Sequence, residues 1–157
     1  MNQANQKENL VGPILALDLG KRLVGVAVSD ALIISITKLN PLGRSNWKQL
    51  LRDVTRLCQR FDAKTLVIGF PLSLNGDRGS SAIEVQRVAA KFVRSLGIAV
   101  YLQDERLTSV EAEEQLRAAG HTSSEIQELV DSQAAAIILT VFIAGGQHRI
   151  LVSRPLS

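Results

Sequence analysis

The sequence predicts an α/β fold in which one mixed β-sheet is covered by helices on both faces. Three observations predict it. Three apolar, β-branched segments follow one another near the start, separated by short polar turns. Helical and strand-like segments then alternate, the pattern that builds parallel strand pairs. The chain has 157 residues, 46% of them apolar and 21% charged. That is enough for one buried core and cramped for two.

Residues 1–12 read as a flexible tail, 13–146 as a single domain and 147–157 as a loose C-terminal tail. Ile14–Leu19 (ILALDL) reads as a buried strand, Gly20-Lys21-Arg22 as a turn and Leu23–Ser29 (LVGVAVS) as its hairpin partner. Ala31–Lys38 (ALIISITK), rich in β-branched residues, is expected to be a third antiparallel strand. Asn46 with Gln49 three residues later forms a helix-capping pair. Leu50, Leu51, Val54, Leu57, Cys58 and Phe61 follow at helical spacing as the buried face of a first helix. Thr65–Phe70 (TLVIGF) is a short apolar strand that Pro71 ends. Ser80–Leu96 is a second helix, with Ile83, Val88, Ala89, Phe92 and Leu96 inward and Gly97 as its stop. Ile98–Leu102 is a fifth strand. Thr108 to Glu111 makes a capping box for a helix through Ala119, and Thr122 to Glu125 offers another. A last helix is expected from about Asp131 to Ala144. Five strands result, three antiparallel and then parallel.

Several function classes fall away. Cys58 is the sole cysteine, so an internal disulfide or a cysteine-rich zinc site is excluded. The polar start, MNQANQKENLVGP, lacks the apolar core of a secretory signal. The longest apolar run, Ala134 to Gly146, is 13 residues, short of the ~20 that a membrane helix needs. A soluble cytoplasmic protein with no membrane partner is expected. Charge is segregated. Lys38 to Arg94 holds eleven basic and four acidic residues, whereas Asp104 to Asp131 holds two basic and eight acidic. A basic half attracts a polyanion, and an acidic cluster tolerates one only when cations intervene.

Three carboxylates stand where patterning does not ask for them. Asp18 interrupts an apolar strand near its carboxyl end, where an unpaired buried charge costs several kcal/mol. A backbone cap, a salt bridge to Lys21 or Arg22, or a metal ion would each compensate it. Glu105 follows the fifth strand, at the sheet edge where ligands collect in open α/β folds. Its neighbour Asp104 is a second ligand or a turn former. Asp131 opens the most apolar helix, as an N-cap or as a third carboxylate facing the strand ends. If the three converge, repulsion raises their pKa values unless divalent cations neutralise them. Hard oxygen donors point to Mg²⁺ or Mn²⁺, one or two ions, which can drive phosphodiester hydrolysis without a general-base histidine. His121 and His148 read as surface residues.

The remaining motifs are weaker. Gly20 and Gly25 bracket the first turn, as Asp18-x-Gly20-x-x-x-x-Gly25. Small residues at Gly69-Phe70-Pro71-Leu72-Ser73 would let a phosphate or backbone approach. Neither stretch is a P-loop. Lys48, Arg52, Arg56 and Arg60 form one basic helix stripe, either a solvated face or a phosphate contact, and Arg78 sits in a loop within reach of phosphate.

Together, LALDLGKRLVGVAVSD, VIGFPLSLNG, DERLTS and VDSQAAAIIL resemble the YqgF family, the Holliday-junction-resolvase-like nucleases of precursor ribosomal RNA. The four blocks occur in the family's order and span Leu15 to Leu139. The resemblance implies an RNase H-like fold and a metal-dependent hydrolase, endo- or exonucleolytic, that trims the 5′ end of precursor small-subunit ribosomal RNA. It implies catalytic and metal-binding roles for Asp18, Glu105 and Asp131, and substrate positioning by Thr108 and Ser109. The family's segment before the last acid is often rich in Lys and Arg, whereas His121–Glu128 has neither here. Substrate contact is therefore expected from Lys21, Arg22, the Lys48–Arg60 stripe and Arg78.

The expected partner is structured RNA or branched DNA, bound by a monomer or a homodimer. Three rivals stand beside this reading: a resolvase acting on branched DNA, a non-catalytic RNA- or junction-binding module, and an ATP-binding protein of the actin and sugar-kinase type. The last needs two such domains around its cleft, and this chain supplies one.

Overall fold

A computed structural model describes residues 10–72, 78–105, 113–114, 116–144 and 149–152, without the side chains of 127–132. The strands are β1 (Ile14–Leu19), β2 (Leu23–Ser29), β3 (Ile36–Gly43), β4 (Thr65–Phe70), β5 (Ala99–Asp104) and β6 (Arg149–Val152). The helices whose bounds lie within the described residues are α1 (Trp47–Phe61), α2 (Ser80–Leu96) and α3 (Ser123–Ile143). They surround a six-stranded sheet of order β3-β2-β1-β4-β5-β6. β2 runs antiparallel to both of its neighbours, β3 and β1; β1, β4 and β5 run parallel, and β6 closes the other edge antiparallel to β5.

Strand periodicity sorts the core into two layers. Leu15 and Leu17 of β1, Leu66 and Ile68 of β4, and Val100 and Leu102 of β5 pack against α1 and α2. Ile14, Ala16 and Val67 face the other way, against Ala135, Ile138, Leu139 and Phe142 of α3. Edge-to-face ring pairs hold each layer, Trp47 on Phe92 and Tyr101 on Phe142, with centroids 4.9 and 5.0 Å apart. Asp18, two residues beyond Ala16, therefore belongs to the α3 face at the carboxyl end of the central strand.

Several expectations need correction. Ala31–Ser35 is a turn, because the Asp30 carboxylate accepts from the amides of Ile34 and Ser35 at 2.7 and 3.1 Å. That local bond outcompetes β-branched propensity. The third strand starts at Ile36 and runs through Pro41 to Gly43, which an edge strand allows. Ile83, assigned to the core, is half exposed; Ala82 and Val85 take the inward positions. Part of the expected C-terminal tail is strand β6, so the sheet has six strands rather than five.

The last helix begins at Ser123, not near Asp131. Thr122 accepts from the Glu125 amide and Glu125 accepts from the Thr122 amide, a complete capping box. Asp131 is thus an interior helix residue and not an N-cap. Other expectations hold as read. Asn46 caps α1 at the Gln49 amide (2.9 Å), and Gly97 ends α2 at a left-handed φ of 69°.

Candidate active site

The carboxyl ends of β1, β4 and β5 lie side by side, and their residues build the site. Gly20, just past β1, bonds through its amide to Leu23 O (3.0 Å), and a Cβ there would stand 2.5 Å from that oxygen. Only glycine closes the turn so tightly. Across the hairpin Asp18 pairs with Gly25. The β2–β3 register also slips between Val24 and Val26, a bulge of the kind that re-aims side chains beside functional sites. On β5, Asp104 pairs with Phe70, and the Glu105 amide continues the ladder to Phe70 O at 3.1 Å.

Asp18 and Glu105 come together, joined by a side-chain hydrogen bond. Burial pushes the Glu105 carboxyl from its usual 4.5 up to about 9, and the Asp18 charge, the hydrogen bond to it and the Asp104 charge add to the rise. Two carboxyls this close cannot both ionise without a cost in repulsion. Gly69 makes the room. A Cβ at that position would lie 2.5 Å from Glu105 Oε2 and 2.6 Å from Ile138 Cδ1. The space expected there for a phosphate or a passing backbone is taken by Glu105 itself.

The structure sorts the other sequence candidates. Lys21 and Arg22 are exposed on the β1–β2 turn, and neither forms an ion pair among the described residues, so a bridge to Asp18 is not its compensation. Arg78 is exposed beyond the carboxyl end of β4, its guanidinium 5.9 Å from the Phe70 ring. Thr108, Ser109, the Asp131 side chain and His148 lie outside the described residues. Among the described residues no group of three or more His, Cys, Asp or Glu is placed to hold a metal ion. Lys48, Arg52, Arg56 and Arg60 form an exposed stripe on α1, which covers the face opposite Asp18. Burial pushes the Cys58 thiol up to about 11, away from the thiolate form.

Sequence reasoning missed Arg44. Its guanidinium donates to Gly20 O at 3.0 Å and reaches Glu84 at 2.5 Å, bracing the turn that follows Asp18. The only signal available was a basic residue directly after the glycine that ends β3.

The family described as "RuvX: Holliday junction resolvase" matches residues 12–145. The chain belongs to the RuvX family. The RuvX relatives include a Gloeothece citriformis protein named "Putative pre-16S rRNA nuclease", 44% identical over 125 residues, covering 80% of this chain and 83% of that protein. A Chloroflexus aurantiacus protein of the same name is 38% identical over 130 residues, covering 83% and 85%. Among solved structures, "T. thermophilus RuvC in complex with Holliday junction substrate" superposes with a TM-score of 0.55 at 15% identity, over 88% of this chain and 98% of that one. At that identity the likeness shows the shared RNase H-like fold, the one expected from the motif blocks. Among the described residues of this RuvX member no helix is long and apolar enough to cross a membrane.

Proposed function

We propose that this chain is a divalent-metal-dependent nuclease that hydrolyses phosphodiester bonds in structured RNA, processing the 5′ end of precursor small-subunit ribosomal RNA. One observation carries the reading: Asp18 and Glu105 meet through a side-chain hydrogen bond at the carboxyl edge of the sheet, where burial and crowding push the Glu105 carboxyl up. A fold that tolerates such a pair is built for a cation to take the proton's place. Relatives 37–44% identical that carry a pre-16S rRNA nuclease name support the substrate class.

The donor set fits Mg²⁺ or Mn²⁺: carboxylate oxygens only, in a recess that Gly69 keeps open for Glu105. Asp18 and Glu105 would hold the ion, with Asp131 as the third ligand. Helical spacing supports that third assignment. Position 131 lies on one stripe with Ala135, Ile138 and Phe142, which pack toward the sheet. Phe142 meets Tyr101, whereas Ile138 reaches Gly69, one step nearer the carboxyl edge, and 131 continues in that direction. When bound, one or two such ions supply a water of lowered pKa and stabilise the leaving oxygen.

The chain's own cations gather the substrate. Lys21 and Arg22 on the turn after Asp18, and Arg78 beside Phe70, attract the phosphate backbone to the edge where the carboxyls stand. Thr108 and Ser109 are assigned to positioning it. The work suits a cytoplasmic protein, as a monomer or a homodimer. Cleavage of four-way DNA junctions is the second reading, favoured by the description of the matched family.

The test is cleavage of a labelled precursor-like RNA and of a four-way DNA junction by purified protein, with Mg²⁺, Mn²⁺ or EDTA. Metal-dependent cutting of the RNA is expected. Junction-selective cutting moves the substrate to branched DNA. Binding of either without any cutting overturns the enzyme and leaves a binding module.

A further inference from the structure

Beside the turn that follows Asp18 there is a second basic feature that no catalytic role uses. A pocket of about 260 Å³ opens between the start of α1 and the middle of α2. Arg44, Trp47, Glu84, Arg87 and Lys91 line it. Its charges do not cancel. Glu84 is engaged by Arg44 at 2.5 Å, while Arg87 is exposed and makes no ion pair among the described residues. Lys91 rests over the Trp47 ring, 5.2 Å from its centroid, with its charge unmatched by any carboxylate among the described residues. Among the described residues the pocket therefore carries two cations with no carboxylate partner. The positive end of α1 adds to them, because the Asn46 side chain caps the Gln49 amide and leaves the first turn's other amides without intrahelical acceptors.

Its place in the fold connects it to the carboxyl pair. Gly43, at the end of β3, pairs with Leu23 beside the β1–β2 turn, so α1 starts at the edge that bears Asp18. Arg44 then ties the pocket to that turn through Gly20 O (3.0 Å) and through its own amide to Arg22 O (2.9 Å). Gly20 is two residues from Asp18, roughly 7 Å of extended chain. The volume limits the occupant. It falls below the ~300–1,000 Å³ of pockets that enclose whole cofactors or drug-sized ligands, yet it admits a phosphate with its sugar.

We propose that this pocket is a phosphate subsite for the nucleic-acid strand, outside the scissile linkage, in which Arg87 and Lys91 bind one backbone phosphate and Trp47 lines the wall beside the adjoining sugar. The inference rests on the nuclease reading for its ligand. The substrate path then runs from the carboxyl pair across Lys21 and Arg22, past the Arg44 brace, to the opposite face of the sheet. The subsite fixes the register of the strand and does not touch the reacting bond.

The test is fluorescence anisotropy of the full chain with labelled precursor-like RNA and four-way junction, in Ca²⁺, over a series of salt concentrations. Arg87→Gln and Lys91→Gln are compared with Lys64→Gln, which removes one positive charge from the amino edge of the sheet, where Lys64 N bonds Pro13 O. Each pocket variant is expected to weaken binding three- to tenfold at low salt. Each should also flatten the slope of log affinity against log salt by about 0.7–0.9, the signature of one lost phosphate contact. Lys64→Gln should change neither. Equal losses in all three variants, unchanged binding in the pocket variants, or a wild type that binds neither nucleic acid overturns the subsite. A cleavage assay in Mg²⁺ separates the two proposals. Cutting with pocket variants that bind normally sinks the subsite alone, and selective loss of binding without any cutting by the wild type sinks the nuclease alone.

Discussion

Replacing Asp18 by Asn should abolish cleavage and yet stabilise the metal-free protein at alkaline pH. In the folded, metal-free state Glu105 keeps its proton up to about pH 9, whereas a free carboxyl releases it near 4.5. The folded state therefore binds more protons than the unfolded chain between those limits, and stability falls as pH rises through them. At about 1.4 kcal/mol per pH unit the full displacement corresponds to about 6 kcal/mol. Glu105 remains partly open to solvent, so screening reduces the figure to about 3 kcal/mol. Burial is the largest cause and the Asp18 charge the next, so Asp18→Asn should recover about 1 kcal/mol. Urea unfolding in EDTA at pH 5 and pH 8.5 measures this directly. The variant should match the wild type at pH 5 and exceed it at pH 8.5, and added Mg²⁺ should stabilise the wild type more than the variant. Equal destabilisation at both pH values would refute the argument, since Asp18 would then be an ordinary structural acid.

Gly69→Ala places a methyl group 2.5 Å from Glu105 Oε2 and 2.6 Å from Ile138 Cδ1; overpacking should cost about 1–3 kcal/mol. Its sharper effect is to evict Glu105, so Mg²⁺-induced stabilisation measured by thermal melts should vanish even where the variant stays folded. Thr122→Ala removes one half of the α3 capping box and should cost about 1 kcal/mol in urea unfolding, with the Mg²⁺ response kept. Arg56→Gln should leave the salt slope of nucleic-acid binding unchanged, because α1 runs from the carboxyl edge, where Gly43 pairs with Leu23, toward the amino edge, where Thr65 pairs with Ile14. A flattened slope would return the α1 stripe to the interface.

By itself the sequence determined the elements whose signals are local and the residues that violate them. Short apolar runs marked β1 and β4, alternation marked β2, and helical spacing with Asn46 and Gly97 marked α1 and α2. Asp18 stood out because a strand core has no use for a carboxylate, and the motif blocks linked it to Glu105 and Asp131. Tertiary structure decided what depends on partners distant in the chain. The third strand moved because the Asp30 carboxylate claimed two amides and an edge position admitted Pro41. β6 exists because β5 offered an unpaired edge to a segment too short to announce itself. Asp131 passed from helix cap to helix interior because Thr122 and Glu125 closed the helix earlier. The room for Glu105 at Gly69 and the Arg44 brace on Gly20 join residues far apart in sequence, and no local pattern encodes such distances.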